Sequence, residues 1–248
     1  MAVPDLNPSP GGPGGMFTTT HWSVVLAAAQ QSTPESAEAL AELCRAYWYP
    51  LYSYVRRKGY DVADAQDLTQ EFFARFLARH YLGSIDRRKG KFRSFLLASL
   101  EHFLAKEWTR AHRLKRGGGV TIVAWDGCDP EERYQLEPPD TWTAERIYER
   151  RWALTVLEQA MAALGAEYVA AGKTMLFEGL KPFLSGEDED LSYPELAARL
   201  QLNEGALRVA LHRLRRGYGE YVRDEIAKLV QRPEDIEDEL RHLFAALR

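Results

Sequence analysis

The chain has 248 residues, 46% apolar, 27% charged and 11% aromatic, which is enough to fill one ordinary core or two small ones and excludes global disorder. Its 32 lysines and arginines against 36 aspartates and glutamates leave a formal charge of −4, so any attraction to nucleic acid or an anionic membrane has to come from local patches. Two cysteines in unrelated contexts, Cys44 and Cys128, exclude a disulfide framework and a four-ligand zinc site and fit a reduced, cytoplasmic setting.

Residues 1–17 open with four prolines and four glycines in the first fifteen positions and are expected to be a disordered tail. They carry neither a basic start nor an apolar core, and no later stretch approaches the ~18 apolar residues of a membrane span, so a soluble, unexported protein without membrane contact is expected. From Thr18 the periodicity is helical, and only residues 120–125 read as strand-like. Ala39, Leu43, Tyr47, Leu51 and Tyr54 recur at helical spacing, with Pro50 expected to kink or restart the helix and Gly59 to end it. The next helix, 62–79, places Leu68, Phe72, Phe73, Phe76 and Leu77 on one broad face and Asp64, Asp67 and Glu71 on another.

A basic loop containing Arg87, Arg88, Lys89 and Lys91 leads into a third helix, whose buried stripe is Phe92, Leu96, Leu100, Phe103 and Leu104. Gly117, Gly118 and Gly119 end it. Residues 86–116 hold ten basic side chains against three acidic ones. The sign then inverts: residues 126–140 hold six acids, one base and three prolines, and 117–142 is read as an interdomain linker. Helical periodicity resumes at Thr143 with Trp152, Val156, Leu157 and Leu164, and pauses near Gly172. It returns through Met175, Leu176, Leu180 and Leu184.

The clearest local signal lies in 192–216. Ser192 with Glu195 forms a capping box for a short helix containing Leu196 and Leu200, and Asn203 caps a second helix after a brief turn. In that second helix Leu207, Leu211 and Leu214 face inward while Arg208, Val209, His212, Arg213 and Arg216 face out. Two short helices, a tight turn and a basic outer face describe a helix-turn-helix. Such a second helix fits the major groove, and its arginines fork onto guanine edges or phosphates. A helical hairpin with a solvated basic face is the plainer alternative.

The stretch LSYPELAARLQLNEGALRVALHRLRR resembles region four of bacterial RNA polymerase sigma factors of the extracytoplasmic-function type, within the sigma-70 superfamily. YDVADAQDLTQEFFARFL and KFRSFLLASLEHFLAKEWTRAHR resemble region two of the same family, and the likeness covers roughly residues 20–116 and 143–228. It implies an all-α fold of two helical domains, a four-helix promoter-melting unit over 18–116 and a helix-turn-helix unit over 143–230; an extra amphipathic helix over 231–248, with Ile236, Leu240, Leu243, Phe244 and Leu247, trails them as a departure from the family. It also implies binding to core RNA polymerase and promoter DNA to start transcription, with no covalent chemistry and no cofactor or metal.

Carried over by position, Asp64, Asp67, Gln70 and Glu71 would face the polymerase clamp, which is basic in this family. Arg87, Arg88, Lys89, Lys91, Lys106, Arg110 and Arg113 would meet the minus-ten element, with Tyr81 and Trp108 as candidate stacking platforms. Arg208, Val209, His212, Arg213 and Arg216 would meet the minus-thirty-five element. Gln66 stands where the family commonly has a glutamate, and Ala210 where a basic residue is frequent.

Control would come from an anti-sigma factor or from a Ser/Thr kinase acting on Thr69 in the docking helix, where a phosphate adds about −1.5 to −2 charges. In the free protein the linker or the C-terminal segment is expected to mask Arg208 and Arg213. Two other readings stay open here: a stand-alone helix-turn-helix regulator, and an enzyme in which Asp64, Asp67 and Glu71 hold a divalent cation.

Overall fold

Three of the helices start where a short polar side chain can satisfy an otherwise unpaired first-turn amide. Asp61 Oδ1 accepts the Asp64 amide at 2.8 Å, Thr143 Oγ1 the Arg146 amide at 3.2 Å, and Asn203 Oδ1 the Ala206 amide at 2.7 Å. The structure, a computed structural model, describes residues 34–76, 91–113, 130–135, 142–185, 193–230 and 232–248. The expected tail 1–17, the strand-like stretch 120–125, the triglycine and Ser192 lie outside them.

In chain order the elements are α1 (Pro34–Arg57), α2 (Val62–Arg75), α3 (Phe92–Arg113), α4 (Pro130–Gln135), α5 (Ala144–Ala170), α6 (Thr174–Leu180), α7 (Pro182–Ser185), α8 (Tyr193–Arg199) and α9 (Glu204–Leu229). A 3-10 turn (Pro233–Asp235) and α10 (Ile236–Ala246) follow. Regular structure among the described residues is entirely helical, so the fold is all-α. Of the four helices expected in the first unit, three fall within the described residues.

α1 runs unbroken through Pro50, against the expected restart. Tyr47 and Tyr49 before the proline and Leu51, Tyr52, Tyr54 and Val55 after it are all buried, so packing holds both halves in line although the ring removes one backbone hydrogen bond. Gly59 ends the helix as expected: its φ of 94° is a conformation that side chains with a Cβ avoid, and its amide bonds the Arg56 carbonyl at 3.0 Å.

The apolar side chains gather into two cores. The larger takes Tyr47, Tyr52 and Tyr54 from α1, Phe72 and Phe76 from α2, Leu96, Leu100 and Phe103 from α3, Tyr148, Trp152 and Val156 from α5, Ile226 from α9 and Leu243 from α10. The smaller joins Leu164, Phe177, Leu180, Leu196, Leu207, Leu211 and Leu214. Two long helices run through both: α5 with 27 residues and α9 with 26, each roughly 40 Å long at 1.5 Å per residue. The boundary between the two cores therefore falls inside α5 and α9. The first half of α5 belongs with α1, on which it packs most extensively, because Tyr148, Trp152 and Val156 complete a core that α1, α2 and α3 leave open.

Part of the expected linker is docked. In α4 the Glu131 carboxylate accepts Arg56 Nε at 2.9 Å, Arg56 Nη2 at 2.8 Å and the Tyr52 hydroxyl at 2.8 Å. Arg133 lies 4.3 Å over the Tyr49 ring and pairs with Glu158 of α5 at 3.0 Å. Arg56 chiefly, and then Tyr52, hold the Glu131 carboxyl below its ordinary value of 4.5. A lowered folded-state value means the contact adds full stability above that ordinary value and loses it as pH falls through the lower one. Glu131→Gln is therefore expected to flatten the acid side of a melting-temperature profile below about pH 4.5 while leaving its shape unchanged near neutrality.

Candidate nucleic-acid interface

α8, its following turn and α9 are two helices joined by a tight turn, with the cap and buried positions expected, but the second helix is not short: it runs on to Leu229. Leu200, Gln201 and Leu202 amides bond back to the Leu196, Ala198 and Ala197 carbonyls at 2.9, 3.1 and 2.9 Å, a Schellman closure with Gln201 at φ 55° in the position glycine usually takes. The same closure ends α5, where glycine does occupy it: Gly172, at φ 67°, bonds Val169 while Lys173 reaches Tyr168. Leu207, Leu211 and Leu214 are buried against Leu196 and Ala197. That burial rotates Arg208, Val209, His212, Arg213 and Arg216 into solvent, with Val209 half exposed.

Arg208 reaches Glu204 at 3.7 Å and Arg216 reaches Glu220 at 2.9 Å, both as exposed i,i+4 pairs. Such pairs are worth about 0–1 kcal/mol and exchange readily for a phosphate. Arg199 on α8 and Arg215 on α9 are also exposed and were not singled out from the sequence. Arg215 was legible there: seven residues past Arg208, it sits about 20° around the helix from it. Arg199 lines a cavity with Lys173, Met175 and Gln201.

On α2, burial of Ala65, Thr69, Phe72 and Phe73 turns the acidic stripe outward. Asp64 and Glu71 are exposed, and Asp67 and Gln70 half-buried. Neither Asp64 nor Asp67 makes an ion pair among the described residues, whereas Glu71 is paired with Arg75, which also reaches Glu107 of α3 at 2.7 Å. Thr69 corrects an expectation: it is fully buried and donates its hydroxyl to the Ala65 carbonyl at 2.7 Å, so a kinase has no access to it in the folded chain.

The minus-ten set is divided. Arg87, Arg88, Lys89 and Tyr81 lie outside the described residues, as do the side chains of Arg110 and Arg113. Lys106 is exposed. Trp108 is 59% exposed, but two residues along α3 places it on roughly the opposite side from Lys106, so the two do not form one surface. Lys91 is engaged by the C-terminal helix: its Nζ lies 2.9 Å from Asp238, 3.2 Å from Glu239 and 3.2 Å from His242 Nδ1. The expected masking of Arg208 and Arg213 is thus replaced by cover over Lys91. Leu243 anchors α10 in the larger core, far along α9 from those arginines, and α4 sits on α1. Phe244, expected in the apolar stripe of this tail, is 57% exposed.

No protein-family profile, curated protein or solved structure matches the chain. Among the described residues no three His, Cys, Asp or Glu side chains converge as metal ligands do, and no helix is long and apolar enough to cross a membrane. Asp64, Asp67 and Glu71 share a face that meets no second acidic helix among the described residues, and Glu71 is taken by Arg75.

Proposed function

We propose that the chain is an RNA polymerase sigma factor of the extracytoplasmic-function type, which binds core polymerase in the cytoplasm and directs transcription from particular promoters. The observation that carries the reading is α9. It has an Asn203-capped N-terminus, a tight turn back to α8, and an exposed arc of Arg208, His212, Arg213, Arg215 and Arg216 over a buried leucine spine. A capped, positively polarised helix start with arginines beside it suits the edge of a major groove and its phosphates. The outward stripe of Asp64 and Asp67 on α2 supports docking to a basic polymerase surface.

In this reading residues 18–116 and 143–230 carry the two promoter-reading surfaces, joined by 117–142. The absence of sequence-wide positive charge fits, since nonspecific DNA attraction scales with the phosphates a protein neutralises.

Core-polymerase pull-down followed by run-off transcription tests the proposal. Transcripts with defined starts that depend on adding the chain support it. Tight, sequence-specific promoter binding by the chain alone, with no effect on polymerase, would make it a stand-alone helix-turn-helix regulator. Arg208→Ala and Arg213→Ala are each expected to lower promoter-specific transcript about 5- to 160-fold, in line with the ~1–3 kcal/mol of a lost base or paired phosphate contact, while polymerase retention stays unchanged.

A further inference from the structure

Two carboxylates of α10 stand where an acceptor for the head of α3 is needed. Lys91, the residue before α3, is only partly exposed, and its ammonium is surrounded by Asp238 Oδ2, Glu239 Oε1 and His242 Nδ1 within 3.2 Å. Two residues on, the Arg93 guanidinium is buried against Glu239, lies 2.9 Å from Glu149 of α5 and stacks 4.7 Å over Trp152. Below these charges Leu243 is fully buried, with Ile236, Leu240 and Leu247 packed beside it. On the other flank Glu237 pairs with Arg223 of α9.

The two α10 carboxylates do different things. Glu239, 5% exposed, and Arg93, 3% exposed, form an inner pair that fastens the helix. Asp238, with a side chain 55% exposed, forms an outer pair with Lys91 in contact with water, where ion pairs are weak and exchange quickly. Two oxygen acceptors around one ammonium are also what a phosphodiester backbone supplies.

We propose that α10 is an intramolecular competitor for nucleic acid at the head of α3: its Asp238 and Glu239 carboxylates occupy Lys91 in place of backbone phosphates until the DNA strand displaces the outer pair. This rests on the reading above that the basic end of α3 meets the promoter strand. It gives the acidic C-terminal helix a role in keeping the free chain off nonspecific DNA, and it makes strand capture a substitution of one anion by another.

The test is fluorescence anisotropy of the full chain with a labelled single-stranded DNA oligonucleotide across a salt series, comparing Asp238→Asn, Lys91→Gln and the double variant. Asp238 is exposed, so its amide leaves the fold intact. Glu234→Gln, on the 3-10 turn away from α3, removes the same charge and serves as the control. Asp238→Asn is expected to tighten binding about 5-fold or more, the lower end of ordinary coupling between sites, against less than about 2-fold for the control. Its salt slope should steepen by about one phosphate contact. Adding Lys91→Gln should remove the gain, which separates Lys91 from Arg241, the other cation that Asp238 holds.

If Asp238→Asn does no more than the control while Lys91→Gln weakens binding, the competitor role is overturned and the nucleic-acid reading of α3 stands. If neither substitution changes binding, the head of α3 does not meet nucleic acid and both are overturned.

Discussion

Replacing Asp64 and Asp67 together by arginine is expected to reduce binding to core RNA polymerase by at least about 100-fold, equivalent to about 2.7 kcal/mol. Both carboxylates lie on the outward side of α2, three residues apart, and neither is spent on an ion pair among the described residues. Reversing them changes the local charge by about four units against a surface expected to be basic, and like-charge juxtaposition at an interface costs several kcal/mol. The fold should survive. Ala65, Phe72, Phe73 and Phe76, which seat α2, point the other way, and Asp61 still caps the helix. An arginine in the first turn opposes the helix dipole by about 0.3–1 kcal/mol, which sets the size of any change in melting temperature. Glu71→Ala should have a smaller effect on polymerase binding, because Arg75 already neutralises it. Titration of labelled core polymerase, with circular dichroism as the fold control, reads the result, and full binding by the double variant would remove α2 from the docking surface.

The largest effect on stability is expected at Arg93. Its guanidinium, 3% exposed, joins Glu239 of α10 and Glu149 of α5, and the ring of Trp152 lies beneath it. Arg93→Met keeps the volume but strands Glu239, 5% exposed, with only the more distant Lys91 as a cation. Removing one partner of a buried pair costs about 3–5 kcal/mol because the remaining charge stays desolvated. The retained Lys91 contact places the expected loss near the lower figure. Arg93→Met combined with Glu239→Met should recover much of it, since it removes the most buried orphaned carboxylate and leaves only Glu149, whose side chain is 28% exposed, without its cation. Urea unfolding should show the midpoint falling in the single variant and returning in the double, with an unchanged slope. A single-variant loss below about 1 kcal/mol would mean that the apolar contacts around Leu243 hold α10 without the charges.

These two sites show how differently chemistry is written into the chain. The acidic stripe is local: Asp64, Asp67, Gln70 and Glu71 recur at helical spacing, and the phenylalanines at the complementary positions turn them outward. The helix-turn-helix is equally local. Asn203 caps it, leucines three and four apart bury one side, and the arginines fall on the other. Arg93 carries no such signal. In the sequence it is one of ten basic residues in a run, and its partner lies 146 positions away. Lys91 is similar: charge and position both suggested a DNA contact, and its acceptors come from the opposite end of the chain. Thr69 misled for a related reason. Acidic neighbours in sequence suggested a surface, but a helix puts residues 64 and 67 on a different side from 69, which faces the core.

Amino-acid order was sufficient for whatever depends on neighbours within about one helical turn: the all-α class, the starts of α2, α5 and α9 near their caps, the breaks at Gly59 and Gly172, and the outward placing of the α2 carboxylates and the α9 arginines. Periodicity and capping act over three or four residues, so they survive in the linear text. Assembly settled the rest. It joined α5 to the first core, docked the acidic α4 on α1 and laid α10 over Lys91 and Arg93. Those outcomes follow from which apolar faces cover one another and which charges are desolvated together, quantities that exist only once distant segments meet.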